Sequence, residues 1–142
     1  MLTIMMSALA LAICVADPAA TVSPKDRAEA LGHASSILAT DGRVSATWRP
    51  AELTEAGLVG CAGLVVLAPK APKQISATAW GATTETTSVI YTHRIRKDSG
   101  AQALTRWLGR VIAHEVVHQT GARDDDGSAL MVGHPTRDQM GQ

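Results

Sequence analysis

Two histidines and a glutamate stand within five consecutive residues, His114, Glu115 and His118, in the stretch HEVVHQTG. On a helix, side chains four apart point the same way, one turn apart. His114 and His118 therefore present two imidazoles to one point, which is two of the three protein ligands that a catalytic zinc needs. Glu115 directly follows the first histidine, so its carboxylate can reach a water on such an ion without being a ligand. The ion lowers the pKa of that water and the carboxylate takes the proton. This is the HExxH arrangement. The competing account is a hydrogen-bonded histidine pair at a helix end, with no metal.

A third ligand has to come from elsewhere, and the chain after His118 is the place to look. Gly121 can end the helix in a left-handed conformation, which lets the chain turn back. Asp124, Asp125 and Asp126 follow at once. Asp124 is three residues beyond the glycine, and a carboxylate is an acceptable zinc ligand. Asp125 and Asp126 stay open as alternatives, as does His134, which lies further on and needs a longer return.

The elements that must position these groups are readable from periodicity. From Ala101 the pattern has a period of 3.6, with Leu104, Trp107, Leu108, Val111 and Ile112 leading into His114 and His118. Val116 and Val117 make the end apolar on the other side too, as in a buried helix. Two imidazoles and a carboxylate are costly to bury without partners, and a metal supplies one. Upstream, a helix is expected from Asp26, with Ser23 or Pro24 at its start and Asp41-Gly42 at its end. Val44–Trp48 alternates with period two and reads as a strand that Pro50 stops. Residues 61–68, CAGLVVLA, read as a buried strand. SVIYTHRI, residues 88–95, reads as another, closed by a turn at Lys97–Gly100. Residues 76–88 carry no assigned element.

The motif resembles that of the metzincin zinc peptidases, whose signature is HExxHxxGxxH followed by a turn containing methionine. His114, Glu115, His118 and Gly121 match, and Asp124 stands at the third-ligand position. Aspartate there departs from the family pattern but is similar to the small secreted snapalysin-type members. Ser128-Ala129-Leu130-Met131 looks like the methionine turn, which puts Met131 under the metal. The strong resemblance covers residues 104–131, and a weaker resemblance in element order covers 43–131. It implies an α+β, metzincin-like fold with a twisted mixed sheet packed on the active-site helix. It also implies extended substrate lying along an exposed strand edge, for which SVIYTHRI has the right place in the order. The part after Met131 is short, so the lower half of the cleft must be minimal.

Composition narrows the rest. The chain has 142 residues, zero formal net charge and 46% apolar residues. That fits one globular domain and gives no electrostatic footprint for nucleic acid or an anionic membrane. Residues 1–16, MLTIMMSALALAICVA, lack charge and are too short to span a bilayer comfortably. They read as a signal peptide, with residues 17–25 as a linker and residues 26–142 as the catalytic domain. A secreted or periplasmic location follows. The alternative for this segment is a buried N-terminal helix or strand. Leu11-Ala12-Ile13-Cys14 is similar to a lipoprotein signal, but Ile13 is bulkier than that site accepts. With the segment removed, Cys61 would be the single cysteine, in a packing role. Trp48, Trp80 and Trp107 read as core, His33 and His93 as non-ligands, Tyr91 as a half-buried strand residue, and Arg94 and Arg96 as solvated. The expectation is a monomeric zinc endopeptidase acting on peptide or protein, with Zn2+ on His114, His118 and Asp124 and with Glu115 as general base. The alternative is a zinc-stabilised binding module or degenerate peptidase without turnover.

Overall fold

The computed structural model describes residues 8–76 and 78–122. Its elements in chain order are β1 (Leu9–Ala16), α1 (Pro24–Asp41), β2 (Val44–Pro50), β3 (Gly63–Ala68), β4 (Gly81–Thr84), β5 (Thr87–Tyr91), α2 (Thr92–Ser99) and α3 (Leu104–His118). The five strands form one sheet in the order β2-β1-β3-β5-β4. The β1–β2, β1–β3 and β3–β5 pairings are parallel, and β4 runs antiparallel to β5 at the edge. The fold is therefore mixed α+β. Helices α1 and α3 pack on one another, α1 also against β2 and α3 against β3, β5 and β4.

The apolar N-terminal stretch takes the alternative form expected for it, a buried strand. Residues 9–16 are β1, which is paired on both sides. Ile13, Cys14, Val15 and Ala16 are all buried. Cleavage after Ala16 would remove the strand that joins β2 to β3. The buried half of β1, Ile13–Ala16, is a continuous apolar run, as a parallel strand covered on both faces is, and that is also the composition of a leader's apolar region. Cys14 is bonded to Cys61, 47 residues away, so its sulfur is not a free acylation site. Arg49 Nη2 lies 3.2 Å from Cys14 Sγ and 3.1 Å from Cys61 Sγ, and donates to the Val59 carbonyl at 2.7 Å.

The expected linker is a folded turn. Asp17 Oδ1 accepts from the Thr21 amide and hydroxyl, both at 2.9 Å, and Oδ2 accepts from the Val22 amide at 3.1 Å. Ser23 caps α1 by accepting from the Asp26 amide at 3.1 Å, with Pro24 in the first turn. Such a cap satisfies a donor that the helix itself leaves without a partner. Gly42, at φ 85°, ends the helix in the left-handed region and donates to the Leu38 carbonyl. Arg43 then grips Asp41 through two bonds, Nε to Oδ2 at 2.8 Å and Nη2 to Oδ1 at 2.9 Å.

The stretch SVIYTHRI divides at Tyr91. Its first half is β5; its second half begins α2, with Thr92 and Ile95 buried at helical spacing. The expected turn at Lys97–Ser99 is the last part of that helix. Arg94 and Arg96 are not simply solvated: Arg94 donates to the Ser76 and Ala79 carbonyls, and Arg96 donates to the Thr21 carbonyl at 2.7 Å. Trp80 is fully buried, while Trp48 and Trp107 pack half-buried against the core. The Trp80 indole donates to Asp98 at 2.8 Å and meets Trp107 edge-on at 5.7 Å, which ties the start of β4 to α2 and α3.

Candidate metal centre

Helix α3 carries the motif because its sides are covered in different ways. Leu104, Leu108, Val111, Ile112, Val116 and Val117 are buried in the core. Gly109 sits where α3 crosses α1: a Cβ there would lie 2.6 Å from the Ala30 carbonyl oxygen and 2.6 Å from His33 Cβ. The close approach of α1 leaves the last turns of α3 to the sheet side and to the residues after His118.

His114 and Glu115 are fully buried, and His118 is partly exposed. The two Nε2 atoms face one another at 3.1 Å. Two nitrogens bound to one tetrahedral zinc at ordinary bond lengths stand about 3.3 Å apart. The spacing thus fits two ligands of one ion. His118 Nδ1 lies 2.8 Å from the Ala122 carbonyl. A carbonyl can only accept, so Nδ1 carries the proton and a neutral His118 keeps its Nε2 lone pair directed at the shared point. Such an outer hydrogen bond fixes the tautomer and orientation of a ligating histidine. One ligand atom from each of His114, Glu115 and His118 lies within 4.8 Å of the others. Zinc at that point would supply Lewis acidity toward a water and a carbonyl. The donor set and its spacing fit that ion.

Glu115 faces the sheet edge. Its Oε2 accepts from the Thr83 hydroxyl on β4 at 2.6 Å. Thr83 Oγ1 is 2.8 Å from Ser88 Oγ on β5, and Gln119 Nε2 donates to that Ser88 oxygen at 2.8 Å. The second Gln119 N–H reaches the Leu64 carbonyl on β3 at 3.2 Å. Gly63 makes room for the Gln119 amide, because a Cβ there would overlap its oxygen. Gly81, two residues before Thr83 and on the same face of β4, lets the strand lie against the helix: a Cβ would meet Ile90, Glu115 and Val111 at 3.1–3.2 Å. Burial pushes the Tyr91 hydroxyl above its ordinary pKa. Arg94 opposes this and the charge of Glu115 adds to it.

Of the residues singled out from the sequence, His114, Glu115 and His118 converge. Asp124, Asp125, Asp126, Met131 and His134 lie outside the described residues. His33 and His93 are exposed on α1 and α2, away from any metal spacing. The strand edge is also reassigned. SVIY pairs with β3 and β4, so it is interior, and the edge strand on that side is β4, with β2 at the other edge. Thr83, Ser88 and Gln119 were missed. Gln119 lies one residue past the second histidine and Ser88 opens the stretch read as a strand, but nothing in the sequence shows that their side chains meet.

No protein-family model matches the chain, and no curated protein matches it in sequence. Among solved structures it resembles archaemetzincin from Methanopyrus kandleri, with a TM-score of 0.54 over 89% of this chain and 88% of that one, at 13% identity. At that identity the likeness speaks for the fold: the chain folds like a protein whose name places it with the metzincins.

Proposed function

We propose that this chain is a zinc-dependent endopeptidase. The observation that carries the reading is the convergence of the His114 and His118 Nε2 atoms beside the Glu115 carboxylate, with His118 held in the ligating tautomer by Ala122. The archaemetzincin-like fold supports it. Asp124 is the proposed third ligand, with Asp125, Asp126 and His134 as the alternatives, and Met131 is the proposed methionine of the turn. The snapalysin-type subgroup rests on Asp124 alone. Glu115 takes a proton from the attacking water and passes it to the leaving amine, which is general-base and then general-acid work. Peptide or protein is the substrate, the protein acts as a monomer, and no helix among the described residues is long and apolar enough to cross a membrane. A secreted or periplasmic location belongs to the same proposal, and the Cys14–Cys61 disulfide supports it, because such bonds persist in oxidising compartments.

A second reading draws on one observation. Glu115 is fully buried, as a carboxylate in a zinc-stabilised domain without turnover could also be. The Glu115→Gln variant separates the two. In a peptidase the zinc-loaded variant loses about 10²–10⁴-fold in kcat and still holds one zinc per chain by elemental mass spectrometry. A wild-type chain with one tightly held zinc and no cleavage of a mixed peptide library establishes the second reading instead.

A further inference from the structure

We infer that Thr83 is a positioning residue for Glu115, the last donor of a one-way hydrogen-bond chain that begins at Gln119. The inference deepens the peptidase reading and rests on it for its kinetic consequence. The direction of the chain follows from counting protons. Gln119 Nε2 can only donate, and one of its hydrogens goes to Ser88 Oγ. Ser88 and Thr83 each own a single hydroxyl proton. Glu115 Oε2 accepts from the Thr83 hydroxyl in the 2.6 Å contact, so the Thr83 proton lies toward it. The Ser88 proton must then fill the 2.8 Å contact to Thr83. The longer contacts of Thr83 and Ser88 to the Glu115 backbone carbonyl, at 3.1 and 3.3 Å, are secondary acceptors for the same two protons. Every donor therefore points toward the carboxylate, and successive bonds of this kind strengthen one another.

The geometry also limits how the carboxylate can turn. Thr83 holds one oxygen from β4 while the Glu115 backbone is fixed in α3, so rotation of the side chain breaks the 2.6 Å bond. Gly81 and Gly63 are the empty places that let strand and amide come close enough. The base is thus oriented by the edge strand and not by its helix alone. The side-chain hydrogen bonds of Thr83 are with Glu115 and Ser88, so its effect is exerted through Glu115.

The test has two arms, each on the full chain. The first is a double-mutant cycle of Thr83→Val and Glu115→Ala, which removes the acceptor, on urea unfolding of the metal-free protein. A buried hydrogen bond predicts a coupling of about three- to tenfold in the unfolding equilibrium constant. Coupling within twofold of unity overturns the inference, whatever the protein's activity. The second arm is steady-state cleavage by zinc-loaded Thr83→Val and Thr83→Ser. Thr83→Val should lose about 10–100-fold in kcat, with KM and zinc content within twofold of wild type, and Thr83→Ser should recover most of the loss. Unchanged kcat in Thr83→Val overturns the inference. If Thr83→Val does not fold, Thr83→Ala, which also removes the hydroxyl, takes its place in both arms under the same criteria. Coupling in a wild-type protein that holds zinc but does not cleave overturns the peptidase reading, and leaves the hold of Thr83 on a buried carboxylate standing.

Discussion

At the scale of single residues, the histidine pair was legible because side chains at fixed spacing on one helix meet. His114 and His118 are four apart, and no tertiary information is required to know that they meet. Ala122 was not legible in the same way: its backbone carbonyl, and not its side chain, sets the tautomer of His118. The same distinction holds for Asp41. Its bidentate contact with Arg43 holds the Asp41 carboxyl below its usual value, with the hydrogen bond as the largest cause and the charge adding to it. A depressed folded-state pKa contributes stability above the unfolded value, near 3.9. That contribution is lost as pH falls through the lower folded value. Asp41→Asn should therefore destabilise by about 0.5–1 kcal/mol at neutral pH, solvent screening keeping the figure small. The difference should close in urea titrations toward pH 2. A difference of constant size at both ends would assign the effect to something other than this charge.

At the scale of elements, amphipathic helices and buried strands were legible wherever their periodicity is uninterrupted: α1, α3, β2 and β3 all lie close to where the pattern put them. Edge strand β4 was not. GATT shows no apolar alternation, and its two-residue hairpin turn has Glu85 at φ 54°, where glycine or asparagine usually signals such a turn. Helix α2 was hidden because Thr92 and Ile95 continue the β-branched character of β5 across the boundary. The packing of α1 on α3 gives a direct test. In Gly109→Ala the new methyl collides with the Ala30 backbone, and overpacking of this kind costs about 1–3 kcal/mol. That outweighs the roughly 1 kcal/mol of helix propensity that alanine adds. Gly32→Ala on α1 meets nothing within 4 Å and should stabilise by up to about 1 kcal/mol. Thermal melts of the two should move in opposite directions; the same direction in both would contradict the close crossing.

At the scale of the whole molecule, the sheet depends on its most N-terminal strand. A chain beginning at residue 17 lacks β1, so β2 loses its partner and β3 loses one of its two. We expect this truncated chain to show no cooperative urea transition, and a native-like transition would mean that the sheet closes without β1. In the full chain, zinc at 100 times its dissociation constant should add about 2.7 kcal/mol. That corresponds to a rise in Tm on the order of 5–10 °C, reversed by chelation. An unchanged Tm would show that the folded state is not the one that holds the ion. These two measurements separate the contribution of the fold from that of the metal.

The sequence by itself determined that His114, Glu115 and His118 come together, because HExxH needs only the repeat of an α-helix to do so. It also determined the longer helices and the apolar strands, whose signals are local. The tertiary structure decided which strand forms the edge and that an apolar stretch resembling a leader is a sheet strand paired on both sides. It decided as well that Thr83, Ser88 and Gln119, from three separate elements, meet behind the carboxylate. Those are contacts between residues up to 32 positions apart in sequence, from Thr83 to Glu115. Periodicity carries no record of such contacts; they exist only once β4, β5 and the end of α3 are packed together.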